Sequence, residues 1–219
     1  GLYGFFGNLL WEIRMRIKWI VQHSFSQGDE DIIIDRLLNK RSKGFYVDVG
    51  AYDPTRFSNT KRFNIKGWKG INIEPDPIRI KKFEAERPKD INLNIGIANK
   101  KGKMDFFIFN PQTLSTFSKG VTKDYQKKGY QLIGTKSIKI YKLNEILKKY
   151  SRGKKIDFFS IDTEGLDIEV LKSNDWDRFR PKVICIETSK NKLDRVLSGL
   201  GYKKVCKTQI NSIYHEQQG

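Results

Sequence analysis

The chain is short of the residues that build disulfide frameworks, zinc sites and membrane spans. Its 219 residues include only two cysteines and two histidines, which disfavours a metal centre of Cys and His ligands. Cys185 and Cys206 lie in apolar segments typical of buried strands, so we expect free thiols, a reducing compartment and a cytoplasmic location. No apolar run approaches the roughly 20 residues that cross a bilayer.

Acidic residues are also scarce relative to basic ones. The chain has 25 Asp and Glu against 42 Lys and Arg, a net charge of +17. A cationic surface favours anionic partners such as nucleic acid, anionic lipid or an acidic substrate, although a general lysine bias explains the same excess. The lysines are scattered from Lys61 to Lys207 rather than grouped in one block. That distribution argues against a dedicated nucleic-acid groove, and we expect no nucleic-acid partner.

The N-terminal segment has its own pattern. Residues 8–22 predict an amphipathic helix, whose apolar positions repeat at helical spacing: Leu9, Ile13, Ile17 and Ile20. This helix either docks on the domain or on a second subunit, or lies peripherally at a membrane interface with its tryptophans at headgroup depth. We therefore divide the chain into a helical segment, 1–23, and one domain, 24–219, which could be a module of a longer polypeptide.

Two short apolar strands carry acidic residues at informative positions. The first, in FYVDVGAYD, contains Asp48 and runs into a sharp turn at Gly50. About twenty residues later KGINIEPD repeats the design and ends in Glu74. A strand, a glycine turn, a helix, a strand and then an acid are typical of a nucleoside-binding βαβ unit, in which the acid accepts hydrogen bonds from the ribose.

Strand and helix patterns alternate along most of the chain, which predicts an α/β fold with a mainly parallel sheet and helices on both faces. Two final strands, near Tyr202 and Tyr214, are expected to form an antiparallel pair. The stretch 110–134 shows no regular pattern. Ligands bind at the carboxyl ends of parallel strands, and further acids lie at such ends: Asp162, Glu164 and Glu187.

The glycine turn does not suit a pyrophosphate. It lacks a full G-x-G-x-x-G pattern, and Asp48 and Asp53 flank it with negative charge, which a phosphate would avoid. A cationic nucleoside fits better. S-adenosylmethionine has an adenosine, a positive sulfur and an ammonium group, so an acid-rich pocket suits it.

Several segments together resemble the FkbM family of S-adenosylmethionine-dependent O-methyltransferases. They are SFSQGDED, FYVDVGAYDP, GINIEPDP, NIGIANKKGK, TLSTFS, FSIDTEGLDIEVLK and PKVICIE, within roughly residues 24–190. The resemblance implies a class I methyltransferase fold: a Rossmann-like, seven-stranded sheet whose last strand is antiparallel. Family members often carry Asn-x-Gly after VDVGA, where this chain has Tyr52-Asp53-Pro54.

The resemblance also implies roles for individual residues. It places Asp48, Gly50 and Ala51 at the methionine end of the cofactor and Glu74 at the ribose hydroxyls, with Asn94, Gly96 and Ile97 near the adenine. Gln27 would approach the methionine carboxylate or the acceptor, and Pro75 and Asp162 would be further cofactor contacts. Acceptors in this family are often sugar hydroxyls of surface polysaccharides or glycosylated natural products, so a sugar or oligosaccharide partner is expected.

The expected reaction is in-line transfer of a methyl group to a hydroxyl. Because a hydroxyl is a weak nucleophile, a base should accept its proton, and Asp162 and Glu164 are the candidates, with His23 as an alternative. A divalent cation held by Asp162, Glu164 and Glu187 is a further hypothesis. The alternatives are an RNA or protein methyltransferase, and a cofactor-binding module of a glycan-assembly protein without turnover.

Overall fold

A computed structural model describes residues 24–187 and 192–217. The predicted N-terminal helix and His23 lie outside the described residues. Within the described part of the chain, no helix is long and apolar enough to cross a membrane. Cys185 and Cys206 are both free thiols, as predicted.

Seven strands form the main sheet, and they are the following: β1 (Phe45–Val49), β2 (Lys69–Ile73), β3 (Ile91–Leu93), β7 (Phe158–Ile161), β8 (Val183–Glu187), β9 (Tyr202–Lys207) and β10 (Asn211–Glu216). Their order across the sheet is β3-β2-β1-β7-β8-β10-β9. In this order, each neighbouring pair of strands from β3 across to β8 is parallel. Strand β10 runs antiparallel to both β8 and β9. The predicted fold class and the antiparallel last strand are confirmed.

The helices connect these strands and are the following: α1 (Glu30–Leu37), α2 (Lys61–Ile65), α3 (Pro77–Glu86), α4 (Lys119–Lys127), α5 (Leu143–Tyr150), α6 (Asp167–Lys172) and α7 (Lys192–Gly199). At the start of α3, the Asp76 carboxylate accepts a hydrogen bond of 2.8 Å from the Ile78 amide, and Pro77 stands at the first position, where its missing N–H costs nothing. The helix expected from about Phe57 begins only at Lys61, because Phe57 has a left-handed φ of 59° that a helix cannot include.

Alternate residues of the central strands face two separate cores. Val47 and Val49 pack on one side of the sheet, with Leu147 of α5. Tyr46 packs on the other side, against Trp68 and Phe158. Burial of each large apolar side chain contributes about 1.5–3 kcal/mol, so this alternation fixes the register of β1 and leaves its carboxyl end free to carry the site.

A second, three-stranded sheet was not anticipated. It consists of β4 (Gly96–Ile97), β5 (Gly102–Asn110) and β6 (Gln131–Tyr141) in the order β4-β6-β5. The prediction that 110–134 is irregular was wrong, because this stretch contains a short 3-10 helix (Gln112–Leu114), α4 and the start of β6. The Ser118 side chain accepts a hydrogen bond from the Val121 amide and so begins α4.

Candidate active site

A cleft of about 370 Å³ opens at the carboxyl ends of the parallel strands, within the range typical of small-molecule sites. The structure brings together at this cleft eleven of the residues singled out from the sequence: Gln27, Asp48, Gly50, Ala51, Glu74, Pro75, Gly96, Ile97, Asp162, Glu164 and Glu187. Asn94 does not line the cleft. Its side chain is exposed, and its amide donates to the backbone carbonyls of Glu74 and Pro75, at 2.9 Å each.

The glycine turn joins β1 to its neighbouring strands by backbone contacts. The amides of Gly50 and Ala51 both donate to the carbonyl oxygen of Ile73, at 2.9 and 3.1 Å. Gly50 has a φ of +78°, and a Cβ added there would lie 1.7 Å from the carbonyl oxygen of Asp162. Only glycine allows this approach, which brings the turn after β1 against the turn after β7.

Asp48 has the buried partner that its position demanded. The residue is 4% exposed, and one of its carboxylate oxygens accepts a 2.7 Å hydrogen bond from the Thr60 hydroxyl. Thr60 in turn accepts from the buried Arg87 guanidinium at 2.8 Å. Burial raises the pKa of Asp48, while Thr60 and the Arg87 charge oppose that rise. Thr60 and Arg87 were missed, because an arginine at a helix end is typical of an exposed residue.

Glu74 connects two loops of the cleft. Its two carboxylate oxygens accept hydrogen bonds of 2.8 Å from the backbone amides of Tyr52 and Asp76. Burial raises the pKa of Glu74 to about 7, although these two hydrogen bonds oppose the rise. Each carboxylate oxygen can accept more than one hydrogen bond, so Glu74 can hold the turn after β1 and still receive a ribose hydroxyl.

Four carboxyl groups meet at the ends of β7 and β8. Asp162, Glu164 and Glu187 each offer an oxygen, and these oxygens all lie within 4.8 Å of one another. Asp167, at the start of α6, accepts from the amide and hydroxyl of Thr163 at 3.1 and 2.9 Å. Among the described residues, no ion pair involves these four carboxyl groups. Within the described part of the chain, no positive side chain therefore compensates the charge that these groups acquire when they ionise.

Burial and mutual repulsion raise the pKa values of these acids. The pKa of Glu164 rises to about 7, first through burial and then through the Asp162 charge. The pKa of Glu187 rises to about 8, through burial and the charges of Glu164 and Asp167. Burial, followed by the charge of Glu187, raises the pKa of Asp162 well above its usual range. At this corner of the cleft, the fold therefore favours binding of protons or of a positively charged ligand by the carboxyl groups.

Two carboxylate oxygens of this group have unused hydrogen-bonding capacity in the described structure. Oδ1 of Asp162 and Oδ2 of Asp167 are buried and have no hydrogen-bond partner within the described residues. A buried carboxylate oxygen without a partner is unfavourable. A cationic ligand, whether a sulfonium with an ammonium group or a divalent ion, suits this donor set, whereas a phosphate does not.

Tyr125 also lines the cleft, and the sequence analysis gave it no role. Its hydroxyl donates a 2.5 Å hydrogen bond to Oε2 of Glu164. The residue was overlooked because it lies in the stretch interpreted as irregular. The signal that could have found α4 was Ser118, a favourable N-cap residue ahead of a polar helix.

Comparisons with known proteins found a family match and several solved structures. A family model described as the methyltransferase FkbM domain matches residues 48–214. Among solved structures, the METTL16 MTase domain is 12% identical with a TM-score of 0.48, and the alignment covers 85% of this chain and 65% of that one. A TehB-like SAM-dependent methyltransferase from Corynebacterium glutamicum is 10% identical with a TM-score of 0.44, covering 94% and 96%.

The comparison with curated proteins found no match. The family assignment rests on the family model. The matched residues include the glycine turn, the acidic residue that follows β2 and the acid turn after β7. It extends over more than half of the chain. The chain therefore belongs to the FkbM methyltransferase family.

Proposed function

We propose that the protein is an S-adenosylmethionine-dependent O-methyltransferase that methylates a sugar hydroxyl of a glycan or glycoconjugate, of the surface polysaccharide type. The observation that carries the proposal is the acid cluster of Asp162, Glu164 and Glu187, which has no ion pair among the described residues and shares one cleft with the glycine turn and Glu74. A cationic cofactor would neutralise the cluster, and a base with a pKa about 7 is matched to a hydroxyl acceptor at neutral pH.

The proposed roles of the individual residues are as follows. When bound, S-adenosylmethionine would supply the methyl group from its positive sulfur, leaving a neutral thioether. Asp48 and the turn at Gly50 would hold its amino-acid end, and Glu74 would hold its ribose. Glu164 takes the proton from the attacking hydroxyl. Alignment of the two partners contributes up to about 7–11 kcal/mol to lowering the barrier.

The proposal is tested with labelled S-adenosylmethionine and a panel of defined oligosaccharides, followed by mass spectrometry to locate the methyl group. Transfer to a saccharide hydroxyl is expected. Transfer to RNA or to a peptide in the same assay, with none to any saccharide, would assign the protein to another substrate class. Cofactor binding without transfer to any member of the panel would favour a non-catalytic module.

The proposal does not require a divalent cation, although Asp162, Glu164 and Glu187 present a suitable set of oxygens. If the positive charge of the cofactor neutralises the cluster, methyl transfer should be unchanged in excess chelator. Loss of transfer in chelator, restored by added Mg²⁺ and not by Ca²⁺ or salt, would instead place a metal ion in the reaction.

A further inference from the structure

Tyr125 reaches the acid turn from a separate part of the fold. It lies on α4, which belongs to the connection between β5 and β6 of the small sheet, whereas Glu164 follows β7 of the main sheet. The hydrogen bond from the Tyr125 hydroxyl to Oε2 of Glu164, at 2.5 Å, spans 39 positions in sequence. The ring is held by edge-to-face contacts with Phe109 and Tyr130, at centroid distances of 5.6 and 5.8 Å. These contacts fix the direction of the hydroxyl.

The same turn is attached to this segment at two further points. The Thr116 hydroxyl donates to the backbone carbonyl of Glu164 at 2.7 Å. Gly165 allows α4 to approach, because a Cβ added there would lie 2.8 Å from a methyl carbon of Val121. Glu164 itself has a left-handed φ of 50°, a conformation that costs a non-glycine residue energy and persists only where surrounding contacts enforce it.

Only Oε2 of Glu164 is engaged by this contact. A carboxylate rotates about its last side-chain bond, which has a broad torsional preference, so a donor fixed on one oxygen restricts the direction of the other. Both Tyr125 and Glu164 line the cleft. The hydroxyl therefore holds Glu164 in one orientation before any ligand arrives.

We infer that Tyr125 is a positioning residue, whose hydroxyl orients Glu164 so that Oε1 receives the proton of the acceptor hydroxyl. This inference rests on the proposed function, in which Glu164 is the base. Through the hydrogen bond from Tyr125 to Glu164, the segment 111–127 becomes part of the reactive site. Tyr125 touches neither the methyl group nor the acceptor in this role.

The test is Tyr125→Phe, which removes one oxygen and keeps the ring contacts. We expect kcat to fall about tenfold or more, since one oriented hydrogen bond is lost, while the Kd for S-adenosylmethionine measured by calorimetry stays within about twofold. Tyr130→Phe is the matched control, because it removes a hydroxyl from the neighbouring ring of a residue that is 40% exposed. It should leave both values unchanged.

A double-variant cycle separates positioning from a general structural effect. In a Glu164→Ala background, Tyr125→Phe should cause no further loss of kcat, because there is no carboxylate left to orient. Wild-type kcat in Tyr125→Phe, or the same fold loss with and without Glu164, would overturn the inference.

The acceptor panel for this cycle includes RNA and peptides beside the oligosaccharides. If the methyl group goes to RNA or a peptide, the proposed sugar acceptor is wrong, and the cycle on that acceptor still decides the role of Tyr125. The two failures are therefore distinguishable. Thermal unfolding gives a readout without turnover: Tyr125→Phe should lower the Tm in the wild type but not in Glu164→Ala, and equal shifts would count against the contact.

Discussion

The partners of the acidic residues decide what each acid can do. Asp48 is tied through Thr60 to the buried Arg87, and Glu74 accepts from two backbone amides. These two acids are therefore already paired with donors of the protein itself. Asp162 instead keeps a buried oxygen that has no partner in the described ranges, so the acid turn is the part of the site that a ligand would complete.

Amide substitution of the acid turn separates chemistry from binding. In Glu164→Gln the side chain keeps its size but cannot accept a proton, so methyl transfer should fall by about 10²- to 10⁴-fold. Asp162→Asn should also lower transfer strongly. Calorimetry should show S-adenosylmethionine binding largely intact in Glu164→Gln, whereas Asp162→Asn should also weaken binding, because Asp162 is expected to contact the cofactor. Glu169→Gln, at a 42% exposed side chain on α6, is the control and should retain normal turnover. Normal turnover in both test variants would show that neither acid is catalytic.

At the scale of the elements, the contact between two turns is the most sensitive feature. Gly50 combines a φ of +78° with a carbonyl oxygen 1.7 Å from where a Cβ would lie. Gly153 has nearly the same φ, +76°, and nothing within 4 Å of an added Cβ. Comparing alanine substitutions at Gly50 and Gly153 therefore separates the free-energy cost of the left-handed backbone conformation from the cost of a steric clash.

We therefore expect Gly50→Ala to be far more harmful than Gly153→Ala. The left-handed conformation alone should lower the free energy of unfolding by about 1–2 kcal/mol in Gly153→Ala. Gly50→Ala should lose at least about 2 kcal/mol more, because the strands must also move apart, and it should lose cofactor binding. Urea unfolding and calorimetry measure the two effects. Equal losses in the two variants would mean that the turns are not in tight contact.

The elements show where sequence reasoning succeeded and where it failed. Strand β1 and helix α3 were predicted well, since β-branched alternation and a proline at the helix start are local signals. The 110–134 stretch was misinterpreted, because glycines and lysines hide the periodicity of α4. The pairing of β5 with β6, from Gly102 with Ile140 to Asn110 with Gln131, depends on contacts that no local pattern encodes.

At the scale of the whole molecule, the buried acids make stability depend on pH. The pKa of Glu164 is raised to about 7 and that of Glu187 to about 8, so the folded state holds these protons more tightly than the unfolded state. Their stabilising contribution is fully present below their ordinary pKa, near 4.5, and is lost as pH rises through about 7 to 8. The cofactor-free protein should thus become less stable towards alkaline pH.

Glu187→Gln tests this dependence, with urea unfolding at pH 5.5 and pH 8.5 in the absence of cofactor and metal. The variant cannot ionise there, so we expect it to lose less stability than the wild type between the two pH values, by on the order of 1 kcal/mol. The exposed Glu84→Gln on α3 should keep the wild-type slope. If the unfolding free energy of Glu187→Gln depended on pH as that of the wild type does, the fold would not raise the pKa of Glu187.

The net charge of +17 belongs to the surface and contrasts with the acidic cleft. A positive surface favours anionic partners in general. The cytoplasmic location, the peripheral membrane contact of segment 1–23 and the absence of a nucleic-acid partner stay predictions.

The sequence by itself determined the order of strands and turns, the glycine at the first turn and the acids at the strand ends, because each depends on residue type and local spacing. Tertiary structure alone decided which groups those acids meet: Thr60 for Asp48, two backbone amides for Glu74 and Tyr125 for Glu164. It also decided that β4, β5 and β6 form a second sheet that places α4 over the acid turn. The physical reason is that hydrogen bonds and repulsions between groups act over a few ångströms in space, and the chain brings distant positions to that separation only when it folds.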